Sequence, residues 1–325
     1  MHRSVRTTTG RNGKVDALEA ELWAITSYFN PAGYRRRREN YHAFRRRLGV
    51  PLVTVEMAHG DAFDLAAGDA DVLVQLGGGD VMWQKERLLN IALATVPTAC
   101  RKVAWIDADV IFARPDWAER ASRMLDQRPI AQLFARTHYM PADLPIDRFE
   151  PRAAELVHPS IAYVVSHGVD PRPGLEAKGP QTLNATGMAW AARRDLFGDL
   201  GFYDACVIGG GDRALIAAGY NVPETLVQRH SMLGRRAEHY LAWARSFAEA
   251  VAGDVGVLED DVFHLWHGEL AKRGGPVRNR VLAEFAFDPV VDITIDADGP
   301  WRWASDKRGL HDYLKAYFAS RQEDG

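Results

Sequence analysis

The sequence contains few cysteines and no long hydrophobic run, and each absence excludes a class of protein. Cys100 and Cys206 are the only cysteines among 325 residues, so a disulfide scaffold is excluded and a reducing, cytoplasmic environment is expected. No apolar run approaches the roughly 20 residues that a membrane-spanning helix needs. The basic start of the chain is followed by no apolar stretch, so no secretory signal is predicted.

Lysine is also scarce, because 33 of the 40 basic residues are arginine. The net charge is −3, yet the first 50 residues carry eleven basic and only four acidic residues. Hydrophobic residues make up 47% of the chain and charged residues 26%, which indicates a globular protein with a core and excludes chain-wide disorder. The uneven charge is compatible with a surface that binds a polyanion.

The apolar pattern predicts a loose leader over residues 1–20 and one α/β domain over 21–325. Strands alternate with helices, which indicates βαβ units in a mostly parallel central sheet with helices on both faces. Residues 140–180 are rich in proline and weakly periodic, so long loops around short elements are expected there. The predicted strands are 22–25, 51–55, 72–76 and 103–106, and the predicted helices include 33–49, 81–94, 212–219, 235–251 and one near the C-terminus.

The strongest chemical signal is an apolar strand that runs directly into Asp107 and Asp109. In an open parallel sheet, ligands bind beyond the carboxyl ends of the strands. Two carboxylates at such a place are costly unless a cation neutralises them. Oxygen ligands suit Mg²⁺ or Mn²⁺ holding a diphosphate. The alternative is a pair of surface aspartates in a turn.

Two further segments carry polar residues at places where a ligand fits. Lys85 lies at the edge of the core face of the helix predicted over 81–94; the alternative is a solvated helical face. Asp212 follows three glycines, Gly209 to Gly211, which permit unusual backbone angles and the close approach of a ligand. Asp212 is a candidate general base, and the alternative is a helix N-cap.

The last segment contains two histidines three residues apart, His264 and His267. Residues at this spacing point to opposite sides of an extended strand. Only one of them is therefore expected to be a metal ligand if the segment is extended. His267, beside Gly268, is the favoured candidate, and His264 is the less favoured one; the alternative is that both are structural.

The order of these segments resembles that of metal-dependent GT-A glycosyltransferases, and within them the β-1,4-galactosyltransferase-like group. That group has a helix of the form R-A-K-L-L-N, a D-V-D strand, a glycine-containing strand, a G-F segment, a G-G-E-D motif and a metal-binding histidine followed by arginines. The corresponding segments of this sequence are Lys85–Asn90 (KERLLN), Asp107–Asp109, Gly187, Gly201–Phe202, Gly209–Asp212, and His267 with Arg273, Arg278 and Arg280.

The resemblance implies a GT-A fold and an enzyme that transfers a sugar from a nucleotide-diphosphate donor to an acceptor hydroxyl. The favoured donor is a UDP-sugar. Residues 21–135 would bind the nucleotide-sugar, and residues 136–325 would carry the acceptor site and the metal-binding histidine. Asp109 and His267 would hold Mn²⁺ or Mg²⁺, and Asp212 would take the proton of the acceptor hydroxyl. The residues expected around the nucleotide or donor sugar are Thr26, Glu56, Lys85, Asp107, Gly187, Gly210 and Gly211.

Two departures from the family pattern leave the acceptor open. The glutamate of G-G-E-D is Gly211 here, and the acidic residue after the aspartate is Arg213. An acidic acceptor cleft is therefore missing. The motifs also do not decide whether the configuration at the anomeric carbon is inverted or retained. Two other functions remain possible at this point: a nucleotidyltransferase, and a non-catalytic module that binds carbohydrate or nucleic acid on the same scaffold.

A basic helix offers a second interpretation of the acceptor. Seven arginines lie between Arg35 and Arg47, on a predicted helix whose Tyr34, Tyr41, Phe44 and Leu48 would form its buried side. Such a stripe would bind a polyanionic acceptor, either nucleic acid or an acidic polysaccharide. The alternative is a solvated, arginine-rich surface and a neutral glycan acceptor.

Overall fold

A large mixed sheet occupies the centre of the chain in the computed structural model, which describes residues 5–9, 20–60, 62–145, 148, 150–176, 184–273, 277–296 and 298–325. The strands are β1 (Val5–Thr9), β2 (Leu22–Phe29), β3 (Leu52–Ala58), β4 (Val72–Gly77), β5 (Lys102–Ile106), β6 (Val110–Phe112), β7 (Ile130–Gln132), β8 (Arg136–Tyr139), β9 (Leu156–Pro159), β10 (Ala189–Arg193), β11 (Val255–Val257), β12 (Asp261–His264), β13 (Ile293–Ile295) and β14 (Trp301–Trp303).

Eight strands form the central sheet in the order β1-β4-β3-β2-β5-β10-β7-β11. Neighbours among β4, β3, β2 and β5 are parallel, as are β7 and β11, whereas β1 and β10 run antiparallel to their neighbours. Six of the eight strands therefore point in one direction. The predicted α/β class with a mostly parallel central sheet is confirmed.

Helices cover both faces of this sheet, because alternate residues of each strand enter different cores. Trp23 and Ile25 of β2 belong to one core, and Leu22 and Ala24 to the other. The helices are α1 (Arg35–Arg47), α2 (Lys85–Thr95), α3 (Trp117–Gln127), α4 (Ile161–Ser166), α5 (Pro171–Glu176), α6 (Gly211–Gly219), α7 (Pro223–Arg229), α8 (Arg235–Val251), α9 (Val277–Glu284), α10 (Pro289–Asp292) and α11 (Arg308–Ser320). Helices α1 and α3 pack on the second face, and α2, α6, α8 and α11 on the first.

A smaller sheet of β6, β12, β8 and β9 brings distant parts of the chain together. Strand β6 begins directly after Asp109 and pairs antiparallel with β12, where Val110 lies opposite His264. The amide of Leu265 donates to the carbonyl oxygen of Asp109 at 2.8 Å. This pairing sets the aspartates at the end of β5 beside the histidines of the second half.

Three local expectations differ from the structure. Residues 5–9, expected to belong to a loose leader, form β1 and pair with β4, while residues 1–4 and 10–19 lie outside the described residues. Strand β2 continues to Phe29 instead of ending before a turn at residue 26. The third concerns identity only: the short elements expected among the loops of 140–180 are β9, α4 and α5 in the described part of that range.

Among the described residues, no helix combines the length and the apolar character that crossing a bilayer requires. Cys100 and Cys206 are free thiols, and both are buried.

Candidate active site

A cavity of about 610 Å³ lies at the carboxyl ends of the central strands. It gathers the four segments that the sequence singles out. From these segments come Lys85, Asp107, Asp109, Gly187, Gly210, Asp212, His264 and His267, together with Ser27, Tyr28 and Phe29 at the end of β2. Its size is within the range of sites that hold a small ligand or cofactor.

Asp109, His264 and His267 form one cluster in this cavity. Nε2 of His267 lies 3.1 Å from Oδ2 of Asp109 and 3.3 Å from Nε2 of His264, and Nε2 of His264 lies 3.9 Å from Oδ1 of Asp109. One ligand atom of each residue lies within 4.8 Å of the other two. Oδ1 of Asp109 is buried and has no hydrogen-bond partner among the described residues. Such an orphaned oxygen beside two imidazoles fits a bound divalent cation.

Both histidines point into the cluster because the extended backbone ends at His264. The expectation that only one of them would face a metal assumed that the strand continued to His267. Gly268, with φ of 88°, turns the chain immediately afterwards. Burial lowers the pKa of His264 to about 3, so its imidazole is neutral at pH 7 and keeps a lone pair for a metal.

Lys85 joins two carboxylates of the site. Its Nζ lies 2.6 Å from Oδ1 of Asp107 and 2.9 Å from Oδ1 of Asp212. Burial acts against the charged amine, but the two aspartates outweigh it and raise the pKa of Lys85. Burial also raises the pKa of Asp107 to about 6, despite the opposing effect of Lys85. Asp107 thus faces Lys85 and Asp212, while Asp109 faces the histidines.

The three predicted glycines leave room for neighbouring side chains. A Cβ on Gly187 would come 2.6 Å from Oδ2 of Asp212, and one on Gly211 would overlap the carboxyl group of Glu86. Gly210 has φ of 102°, so a side chain there would be strained. Gly187 and Gly210 line the cavity. Gly211 does not line it and instead lies against the buried side chain of Glu86.

Thr26 and Glu56, which were expected near the nucleotide, do not line the cavity. The hydroxyl of Thr26 donates to the carbonyl oxygen of Ile106 at 2.7 Å within the sheet. Glu56 accepts hydrogen bonds from the amide of Asp64 at 2.6 Å and from Nε2 of Gln75 at 2.8 Å. The reason is that β2 extends to Phe29, which brings Ser27 to Phe29 to the cavity instead.

The basic helix α1 is partly engaged inside the protein. Arg37 donates to Glu323 and to the carbonyl oxygen of Phe29, and Arg45 pairs with Asp71. Helix α1 has no side-chain cap of its own; the carboxylate of Asp324 accepts hydrogen bonds from the first two amides of α1 instead. These contacts use part of the charge that the sequence assigns to a polyanion-binding stripe.

Glu323 is a site residue that sequence reasoning missed. Its side chain is fully buried, and Oε1 lies 3.7 Å from Nδ1 of His267. Oε2 pairs with Nε of Arg37 at 2.5 Å, and Oε1 pairs with Nε of Arg321 at 2.5 Å. These partners, Arg37 first, outweigh burial and hold the pKa of Glu323 far below its ordinary value. No motif marks it, because only the fold brings residue 323 to residue 267.

Comparisons with known proteins found similarity to solved structures, and to those alone. No family model matches the chain, and no curated protein matches it. S. aureus TarS (residues 1–349, with UDP-GlcNAc) is similar at 10% identity and a TM-score of 0.41, over 93% of this chain and 72% of that one. Glucosyl-3-phosphoglycerate synthase from Mycobacterium tuberculosis, with Mg²⁺ and UDP, is similar at 16% identity and a TM-score of 0.40, over 86% of this chain and 85% of that one. The catalytic domain of Drosophila β1,4-galactosyltransferase 7, in complex with xylobiose, is similar at 10% identity and a TM-score of 0.30, over 73% of this chain and 65% of that one.

Proposed function

We propose that this protein is a GT-A glycosyltransferase that uses a divalent metal to transfer a sugar from a nucleotide-diphosphate sugar, first of all a UDP-sugar, to an acceptor hydroxyl. The observation that carries this proposal is the cluster of Asp109, His264 and His267 at the end of β5. The order of motifs that resembles the β-1,4-galactosyltransferase-like group supports it. Both point to metal-bound diphosphate at the carboxyl edge of the sheet.

The cluster fits Mn²⁺ better than Mg²⁺. Mg²⁺ takes oxygen ligands almost exclusively, whereas imidazole suits later divalent metals. Asp109 would supply a carboxylate oxygen, and His264 and His267 would each supply Nε2. When bound, the ion would neutralise the charge that develops on the leaving diphosphate. Because His264 takes part, this proposal differs from the sequence-based expectation of a single histidine ligand.

The remaining residues of the site would act on the acceptor and on the donor. In an inverting reaction, a carboxylate oxygen of Asp212 would accept the proton of the acceptor hydroxyl, whose oxygen attacks the anomeric carbon. The bond between the anomeric carbon and the diphosphate oxygen would break, and its electrons would leave with the nucleoside diphosphate. Lys85 would keep Asp212 oriented through its 2.9 Å contact. Asp107 forms an ion pair with the same amine, and we propose that it holds Lys85 in position beside the donor.

Two measurements test this function against its rivals. A glycosyltransferase should slowly hydrolyse a UDP-sugar to UDP in the presence of Mn²⁺, stop with EDTA, and recover when Mn²⁺ is restored. A nucleotidyltransferase would instead release diphosphate from a nucleoside triphosphate and a sugar phosphate. A non-catalytic module would show nucleotide-sugar binding with neither product. Absence of UDP release across a panel of UDP-sugars, with Mn²⁺ present, would contradict the proposal.

A further inference from the structure

A group of cations borders the proposed acceptor side of the cavity. Arg213 follows Asp212 in the first turn of α6, Arg278 lies at the start of α9, and both line the cavity. Arg229, at the end of α7, is buried close to both of them. We refer to Arg213, Arg229 and Arg278 as the arginine cluster.

The charges of this cluster repel one another. Burial and the neighbouring charges of Arg229 and Arg278 lower the pKa of Arg213 to about 9. Burial and Arg278 also lower the pKa of Arg229. Gathering buried like charges is unfavourable unless an opposite charge is brought in. The cluster therefore favours a negatively charged occupant.

Within the described residues, the hydrogen bonds of Arg213 and Arg278 go to neutral oxygens. Arg213 donates to the carbonyl oxygen of Gly174 at 3.3 Å. Arg278 donates to the carbonyl oxygen of Arg273 at 3.3 Å and to the hydroxyl of Tyr317. Its Nε is buried and meets no acceptor in the described part of the chain. Unused guanidinium donors of this kind match the oxygens of a phosphate or carboxylate.

Within the cluster, Arg213 lies beside the proposed general base. The negative charge of Asp212 acts on Arg213 and opposes the lowering of its pKa. Arg273 and Arg37 instead interact with Asp109, and Tyr139 feels the charges of both Arg213 and Arg273. An anion held by Arg213 would therefore lie next to the hydroxyl that reacts.

We propose that Arg213 and Arg278 bind an anionic group of the acceptor, so that the acceptor is a hydroxyl compound carrying a phosphate monoester or a carboxylate. This inference rests on the proposed function, because Asp212 locates the acceptor. It makes Arg213 and Arg278 residues that determine acceptor specificity. A neutral glycan would bring no negative charge to either guanidinium group.

The test is a calorimetric titration of the whole protein with inorganic phosphate, first alone and then saturated with UDP and Mg²⁺. Saturation fills the donor site, so that phosphate reports on any remaining anion site. We expect phosphate to bind in both titrations, and Arg213→Gln and Arg278→Gln each to raise its dissociation constant about tenfold or more. The control is Arg308→Gln, an exposed arginine outside the cavity. Sodium chloride at matched ionic strength controls for screening.

The outcomes separate the acceptor site from the donor site. Competition between phosphate and UDP, or weaker UDP binding in Arg213→Gln, would assign the cluster to the donor diphosphate and overturn the inference. Phosphate binding that is absent from the UDP-saturated wild type would overturn it as well. Arg213→Lys keeps the charge and should bind phosphate with intermediate affinity, which guards against a misfolded Gln variant. A wild type that does not bind UDP would instead contradict the proposed function, and the separate UDP titration detects that case.

Discussion

The carboxyl group of Glu86 fills the space beside the Cα of Gly211. Glu86 is buried in the first turn of α2, and Gly211 begins α6. In the family that the sequence resembles, the corresponding residues are an alanine on the helix and a glutamate in the G-G-E-D motif. In this protein, the space between the two elements holds the one carboxyl group of Glu86.

This relationship predicts a compensating pair of substitutions. Gly211→Glu alone should destabilise the protein by at least about 2 kcal/mol, because two side chains would compete for one space. The double variant Glu86→Ala/Gly211→Glu should recover half or more of that loss, as a double-mutant cycle in urea unfolding would show. Gly60→Glu is the control, since nothing lies within 4 Å of a Cβ there. Additive effects would mean that the two residues do not share the space.

The burial of Glu86 predicts a pH effect on stability. Burial raises the pKa of Glu86 to about 8, so the folded state holds a proton that the unfolded state releases near its ordinary pKa of about 4.3. The contribution of Glu86 to stability should therefore fall as the pH rises from about 5 to 8, by up to about 1 kcal/mol per pH unit, whereas the lowered pKa of His264 acts in the opposite direction below about pH 6.5. Glu86→Gln should remove the Glu86 contribution, so that the difference in unfolding free energy between wild type and variant changes with this slope across that range. An unchanged slope in Glu86→Gln would assign the effect to other groups, such as Asp107.

Metal binding should depend unequally on the three proposed ligands. Asp109→Ala should abolish Mn²⁺ binding and turnover, because it removes the only carboxylate of the cluster. His264→Ala and His267→Ala should each weaken Mn²⁺ binding without abolishing it, and Mn²⁺ should support more activity than Mg²⁺. Calorimetric titration with Mn²⁺ measures the affinities, with His167→Ala, an exposed histidine, as the control. Full Mn²⁺ affinity in Asp109→Ala would remove this site from consideration.

Glu323 should act on metal affinity through His267. If Nε2 of His267 binds the metal, its Nδ1 carries the proton and can donate to the Glu323 carboxylate, 3.7 Å away, in place of its 3.4 Å approach to Nη2 of Arg321. Glu323→Gln should therefore lower Mn²⁺ affinity about tenfold or more, whereas Glu284→Gln on the surface of α9 should not. Unchanged Mn²⁺ affinity together with a lower melting temperature would limit Glu323 to holding Arg37 and Arg321.

Asp212→Asn tests the proposed base. Turnover should fall by about 10² to 10⁴, the usual contribution of a general base, while UDP affinity stays within a few-fold. The control is Asp199→Asn, an exposed carboxylate elsewhere in the second half. Lower donor affinity with unchanged turnover per bound donor would make Asp212 a structural partner of Lys85.

The central strands and long helices were predictable because their apolar residues repeat with a clear period. Strand β2 was predicted too short, since the polar residues Thr26 and Ser27 suggested a turn. The hydroxyl of Thr26 is satisfied by Ile106, so the strand continues. Strand β9 was missed because, among the described residues, it pairs with β8 alone. Such a short segment depends on a neighbour that a local pattern does not reveal.

The site was predictable where a residue follows a strand or a glycine motif, as for Asp109 and Asp212. It was not predictable where distant elements meet. His264 joined the cluster because β12 ends there, and Thr26 and Glu56 fell outside because each strand end lies further along the chain than its pattern suggests. Glu323 carries no local signal, since its partners are remote in sequence; Arg213 and Arg278 stand in motifs, but their proximity to Arg229 is set by the fold.

The contacts of Glu323 and Asp324 have a consequence for the order in which the protein acquires its site. Translation reaches residues 323 and 324 after it has passed α1, Lys85 and the cluster of Asp109, His264 and His267. Until then, the N-terminus of α1 lacks the carboxylate of Asp324, and Arg37 lacks its counter-ion Glu323. The electrostatic balance around His267 is therefore complete only after translation has passed residue 323.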